Sequence, residues 1–123
     1  AAHCGWRGTL AGIAGKTVEK MTSLGADKNR IKVAIGQGIS RMNFEVGDEV
    51  TARFRENGFP GSACNNNHLD LIQCILFNLT AAGIKEQNTW VMNRCTFEDD
   101  FFSHRRDKGR TGRMMAVISM KQK

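Results

Sequence analysis

Leu69-Asp70-Leu71-Ile72-Gln73-Cys74-Ile75-Leu76-Phe77-Asn78-Leu79-Thr80-Ala81-Ala82 is the stretch around which the rest of the chain is read. Leu69, Ile72, Ile75, Leu76 and Leu79 return at the spacing of one helical face, and Gly83 follows where a helix can end. The spacing predicts a helix over 69–82, the clearest in the chain. Before it, residues 57–68 (Asn-Gly-Phe-Pro-Gly-Ser-Ala-Cys-Asn-Asn-Asn-His) read as a loop by composition. Earlier still, Asn43 reads as the cap of a helix whose face is Val46, Val50 and Phe54. Ile31-Lys32-Val33-Ala34-Ile35 reads as a strand closed by Gly36-Gln37-Gly38. A Gly-x-Gly after a strand can turn backbone N–H groups toward an anion. Arg41 stands where a dinucleotide fingerprint has its third glycine, so a Rossmann reading fails.

Thr9 to Leu24 carries Leu10, Ile13, Ala14, Val18, Met21 and Leu24 at helical spacing, and Gly25 follows. Gly5, Gly8, Gly12 and Gly15 recur three or four residues apart. Glycine inside a helix costs about 1 kcal/mol against alanine. Four of them predict a close approach to the backbone, by a packed sheet or by a ligand at the helix start. Downstream, Thr89-Trp90-Val91-Met92 reads as a strand running into Cys95-Thr96. Met114 to Met120 is nearly all apolar and reads as a strand covered on both faces. The order α-β-α-α-β-β predicts one α+β domain over 1–123, with layered helices on a mixed β-sheet. Three strands are few for this much apolar sequence, and a missing strand before Ala1 would help to fill the sheet.

Bulk properties narrow the class. The chain of 123 residues is 41% hydrophobic, enough for a core. It has neither an apolar run long enough to cross a bilayer nor a signal-peptide pattern. The expectation is a soluble protein with no membrane partner that, if complete at its N-terminus, is not exported. Cysteines at 4, 64, 74 and 95 form no Cys-x-x-Cys pair, which fits a reduced, cytoplasmic setting better than a disulfide framework or a zinc ribbon. A net charge of +6 points to anionic substrates or partners.

Three constellations could carry chemistry. His3-Cys4-Gly5-Trp6-Arg7-Gly8 crowds an imidazole, a thiol, an indole and a guanidinium into one stretch. A transition metal needs three or four converging N, S or O ligands. Neighbours on an extended chain point apart, so His3 and Cys4 would not both serve one ion, and His68 and His104 lie in distant polar stretches. The second constellation runs from Phe101 to Arg113 and gathers Arg105, Arg106, Lys108, Arg110 and Arg113. Arginine's planar fork holds phosphate or carboxylate at two points. The alternatives for this loop are an anion pocket and a solvated basic loop. The chain lacks the patterned aromatics of an RNA-binding sheet and a basic helical stripe, which argues against nucleic acid. Third, Cys95 at a strand end beside Arg94 is the candidate nucleophile, whereas Cys74 sits in the apolar helix as a small core residue.

Taken jointly, several segments resemble the laccase-domain family, also called the multicopper polyphenol oxidase or YfiH-like purine nucleoside phosphorylase family. His3-Cys4-Gly5-Trp6-Arg7-Gly8 is similar to its His-Ala-Gly-Trp-Arg-Gly motif. Gly36-Gln37-Gly38-Ile39 and Phe44-Glu45-Val46-Gly47 resemble its Gly-Pro-x-Ile and Tyr-Glu-Val-Gly segment. Leu69-Asp70-Leu71, Cys95-Thr96, Phe101 to Asp107 and Thr111-Gly112-Arg113 follow in the family's order.

The resemblance implies a YfiH-like fold, a chain of about twice this length, and this sequence as its C-terminal half. It implies a copper or zinc site to which His3 contributes while the other His and Cys come from the first half. It implies either copper-dependent oxidation of phenols or phosphorolysis and deamination of purine nucleosides. On that footing Arg7 and Cys95 are the catalytic candidates, and Arg105, Arg106 and Arg113 the anion binders. Phe44 or Phe102 would flank a purine, and Cys4 and His104 are candidate extra metal ligands. Cys4, Gln37, Phe44 and His104 depart from the family's Ala, Pro, Tyr and Tyr. A basic nucleotide- or nucleic-acid-binding module without catalysis is the alternative. Self-association and pairing with a missing N-terminal half both stay open.

Overall fold

In the computed structural model, which describes residues 1–122, the predicted central helix is α4, Leu71–Ala81. The Asp70 carboxylate accepts the Gln73 N–H at 3.0 Å and so satisfies one of the free donors of its first turn. α4 is shared between two cores. Leu71 and Cys74 pack with Phe44, Phe54 and Leu69, while Ile75 and Leu79 pack with Ala14, Val18, Ile31 and Ile84. Phe54, Leu69 and Cys74 are fully buried. Burying one such side chain is worth about 1.5–3 kcal/mol.

The helix expected over 9–24 is two helices, α1 (Trp6–Leu10) and α2 (Ile13–Ser23). They part at Gly12, whose φ of 75° lies in the left-handed region. The close approach foreseen for the glycines is to a helix, not to a sheet. A Cβ on Gly15 would stand 3.9 Å from both Ala82 Cβ and Asn78 O, so α2 rides close against α4. Asn78 Nδ2 also donates to Thr9 O at 2.9 Å and ties α1 to the same helix.

β1 (Val33–Ile35) pairs in parallel with β4 (Thr89–Val91), in the register Val33↔Thr89, Ala34↔Trp90 and Ile35↔Val91. The crossover between them holds α3 (Asp48–Glu56), a short hairpin and α4. α3 buries Val50, Thr51 and Phe54, but its N-cap is Gly47. Asn43 lies instead in a tight turn over Arg41–Asn43. Residues 57–68 are not all loop. Cys64–Asn65 (β2) and His68–Leu69 (β3) form an antiparallel hairpin. Asn66 and Asn67 turn it with φ of 51° and 58°, values that asparagine tolerates better than most residues.

The α+β class therefore holds, with one parallel pair and a separate antiparallel hairpin where one sheet was expected. The strand expected over Met114–Met120 does not form. That segment carries no regular structure, and Met115, Val117, Ile118 and Met120 are 70–94% exposed. A strand is stable only with a ladder partner, and the described residues supply none beside it.

Gly12→Ala tests the break between α1 and α2. The added Cβ meets nothing within 4 Å, so its cost is backbone strain alone. Urea unfolding should show a loss of about 1–2 kcal/mol, and an unchanged midpoint would contradict the left-handed assignment.

Candidate functional site

Beyond Ile35 and Val91 the parallel pairing resumes at Gly38↔Cys95. Gly38 N–H donates to Arg94 O at 3.2 Å and Thr96 N–H to Gly38 O at 3.1 Å. This lays the 38–44 turn over the Cys95 sulfur. Sγ accepts from the backbone N–H groups of Ser40 at 3.2 Å and Phe97 at 3.5 Å, and from Asn43 Nδ2 at 3.4 Å. The thiol itself donates to Ser40 Oγ at 3.2 Å, and that hydroxyl can turn to donate once the sulfur is ionised. Burial works against the thiolate. The bonds from Ser40, Phe97 and Asn43 together outweigh it and hold the Cys95 thiol below its ordinary value. The other three thiols go the other way. Burial raises Cys4, Cys64 and Cys74, and the neighbouring Cys64 raises Cys74 further.

Arg94 plays no direct part in this. Its guanidinium pairs with Glu98 and, at 2.7 Å, with Asp100, and it lies 4.9 Å over the Phe101 ring. Those contacts hold Glu98 and Asp100 below the usual carboxylate range. Cys95 opens onto a cleft of about 490 Å³ bordered by Gly38, Arg41, Asp70, Gln73 and Glu98.

The basic loop divides its labour. Arg106 points inward. Its Nε and Nη2 reach the two oxygens of Asp107 at 2.9 and 3.1 Å. Nη1 donates to Phe97 O and Glu98 O at 3.1 and 2.8 Å, with a longer contact of 3.4 Å to Thr96 O. Nη2 donates also to Phe101 O at 2.8 Å. With its donors so engaged, Arg106 is not free to hold an anion and instead fixes the segment that carries Cys95. The others face outward. Arg105 lies 5.3 Å over the Phe44 ring and donates to Glu45 O at 2.8 Å. Arg113 donates only to carbonyls of its own turn, and Lys108 and Arg110 are exposed.

Phe44 is a core residue, 7% exposed beneath Arg105, so it does not stand open to flank a purine. Phe102 is 53% exposed, with its ring against Gly112. Arg7 is exposed and lies 4.3 Å over Trp6.

His3 is exposed with its ring over Gly5, and His104 is exposed beside Gly109. Cys4 is half-buried against the core that holds Ala14 and Val18. Among the described residues no three His, Cys, Asp or Glu side chains converge on a point that could hold a metal ion. His3, Cys4 and His104 do not form such a set, so this chain's residues by themselves do not fit copper or zinc. Sequence reading missed Ser40 and misplaced Asn43. Their role depends on the fold bringing residues 40–43 to residue 95. No helix among the described residues is long and apolar enough to cross a membrane.

Residues 1–121 match the family model described as multi-copper polyphenol oxidoreductase laccase. The chain is 45% identical to a purine nucleoside phosphorylase of Deinococcus radiodurans, covering 98% of this chain and 48% of that one. It is 36% identical to adenosine deaminase RL5 from an unknown prokaryotic organism, covering 97% and 49%. Its fold is similar to the crystal structure of Bacillus licheniformis hypothetical protein YfiH. The TM-score is 0.80 at 33% identity, covering 90% of this chain and 45% of that one. The chain thus spans about half the length of the curated relatives it matches.

Two measurements test the geometry. Brief alkylation at neutral pH, read by mass spectrometry, should label Cys95 before Cys4, Cys64 and Cys74, and Ser40→Ala should slow the labelling of Cys95. Labelling of Cys4 first would contradict the thiolate cradle. The Arg106 guanidinium holds the Asp107 carboxyl at about 2, down from 3.8. A depressed carboxylate contributes stability that is full above its ordinary value and is lost as pH falls through the depressed one. Protection factors at Ser103 and Arg106, taken relative to the intrinsic exchange at each pH, should therefore fall between about pH 4 and pH 2 and stay constant above that window.

Proposed function

The chain belongs to the multi-copper polyphenol oxidoreductase laccase family, and from that premise we propose that it is the C-terminal half of a cytoplasmic enzyme that cleaves purine nucleosides with phosphate. The kinship to a purine nucleoside phosphorylase along nearly the whole chain carries this reading. The outward cations of the 105–113 loop agree with it.

In phosphorolysis a phosphate oxygen bonds to C1′ of the ribose, the C1′–N9 bond breaks, and its electron pair leaves with the purine. Arg105, Lys108, Arg110 and Arg113 present charge to the phosphate, with Arg7 as a further cation from α1. Arg106 positions them. Phe102, the exposed aromatic of that loop, offers a face to the purine. Cys95 meets substrate in the cleft. Its thiol gives a proton to the departing purine nitrogen, the donors from Ser40, Asn43 and Phe97 hold the thiolate, and hydrogen phosphate returns the proton.

Deamination of adenosine is the second reading, favoured by the similarity to an adenosine deaminase. Oxidation of phenols is the reading favoured by the family's description.

A full-length protein carrying this sequence should release hypoxanthine and ribose 1-phosphate from inosine only when phosphate is present. Ammonia from adenosine and colour from a phenolic dye, at matched copper and zinc content, read the other two chemistries. Dye oxidation without purine release would overturn the proposal. Binding to nucleic acid that weakens steeply with salt, without any turnover, would leave only a basic binding module. Arg105→Ala with Arg110→Ala should raise the KM for phosphate about 10- to 100-fold, the worth of one or two charge-assisted hydrogen bonds, and an unchanged KM would remove the loop from phosphate binding.

A further inference from the structure

We infer that Arg41 is the specificity-determining residue of the Cys95 cleft: its guanidinium reads the O6 and N7 edge of a 6-oxopurine, so hypoxanthine and guanine are taken in preference to adenine. The inference rests on the purine nucleoside reading above and names the base that reading leaves open.

The cleft is shaped for something flat and uncharged. Ile72 and Leu76, one turn apart on α4, give it an apolar wall. Gly36 and Gly38 border it from the end of β1. A Cβ on Gly38 would stand 3.7 Å from Ile72 Cδ1, whereas one on Gly36 would meet nothing within 4 Å. Gly38 therefore closes the slot against Ile72 and Gly36 leaves it open. At about 490 Å³ the cleft has room for a nucleoside. Arg41 and Arg94 face Asp70 and Glu98 around it, so the charges cancel and a neutral heterocycle suits it better than phosphate.

Most of the polar groups on its border are already engaged. Glu98 Oε1 accepts the Cys95 N–H at 2.8 Å, and Oε2 holds Arg94. Asp70 caps α4, and Gln73 Nε2 donates to Ser62 Oγ at 2.9 Å. Arg41 differs. Its side chain is half-buried and, among the described residues, has neither an ion pair nor a hydrogen bond. Its backbone is fixed all the same. Phe44 N–H donates to Arg41 O at 3.2 Å, and the preceding Ser40 N–H reaches the Cys95 sulfur at 3.2 Å. An unpaired fork and the thiol thus border one cavity.

A guanidinium carries donors only, so its partner must supply acceptors. O6 and N7 of hypoxanthine or guanine are two acceptors side by side at the spacing of the fork. Adenine has an amino group at position 6, and one arm of the fork would meet a donor and stay unpaired. Held by this edge, the base leaves N9 to the Cys95 thiol and the phosphate to the loop cations.

Titration calorimetry on a full-length protein carrying this sequence, without phosphate, tests the inference with hypoxanthine and adenine, neither of which has a glycosidic bond to break. Hypoxanthine should bind about 5- to 150-fold more tightly, the worth of one two-point base contact. The 7-deaza analogue of hypoxanthine lacks the N7 acceptor and should lose that advantage on the unaltered protein. Arg41→Gln should turn the preference toward adenine, because a carboxamide donates to N7 and accepts from the amino group. Damage to the fold would weaken both bases and could not invert their order. Equal affinities, a preference that survives Arg41→Gln, or no binding of either base overturns the proposal. Phosphorolysis of inosine by a protein without base preference also overturns it, and leaves the proposed function standing. An Arg41-dependent preference in a protein that forms no ribose 1-phosphate supports the proposal and removes the catalytic reading alone.

Discussion

The parallel pairing of residues 33–38 with 89–96 is the constraint from which the rest of the molecule follows. Parallel neighbours cannot be joined by a tight turn, so the chain between them has to leave the sheet, cross it and return. Here the crossing is α3, the 64–69 hairpin and α4, and it lies against one face. α4 is apolar on more than one side because it serves both cores. The same pairing, carried past Ile35 to Gly38↔Cys95, places a cysteine beneath the Ser40 N–H and the Asn43 side-chain amide. Packing and chemistry thus share one ladder. A register slip would cost the core its Val33 and Ile35 contacts and the sulfur its donors together.

A second constraint sits inside the basic loop. A guanidinium taken partly out of water is costly unless its fork is satisfied, and Arg106 is satisfied by Asp107 and by the carbonyls of residues 97, 98 and 101. Those carbonyls belong to the turn directly after Cys95, so the loop and the cleft are one mechanical unit. Lysine has no planar fork and could not bridge the same set. In a row of five cations, Arg106 builds the frame and the others lie at the surface.

What could be read from the sequence was what local periodicity reports. α4 and the buried Val50 and Phe54 were legible because burial repeats at helical spacing. The family was legible too, since its motifs are short, ordered and distinctive. The break at Gly12 and the Asn66-Asn67 turn were not, because both depend on positive φ, which composition permits at many positions and requires at few. Ser40 and Asn43 were illegible as partners of Cys95, because they stand 55 and 52 residues away and only the fold joins them. The apolar run at 114–120 was read correctly for its hydrophobicity and wrongly for its structure. Hydrophobicity says that a segment wants cover, not that its cover lies within the same stretch of chain.

That run also carries a chemical liability of its own. Met114, Met115 and Met120 present thioethers to solvent at 40%, 87% and 94% exposure. Peroxide would convert them to sulfoxides, turning flexible apolar side chains into polar ones. Met114 Sδ would keep an acceptor for Gln37, now as an oxygen, while Met115 and Met120 would lose their apolar character. Met42, 86% exposed, would oxidise alongside them, while the two buried cores, which contain no methionine, would be untouched.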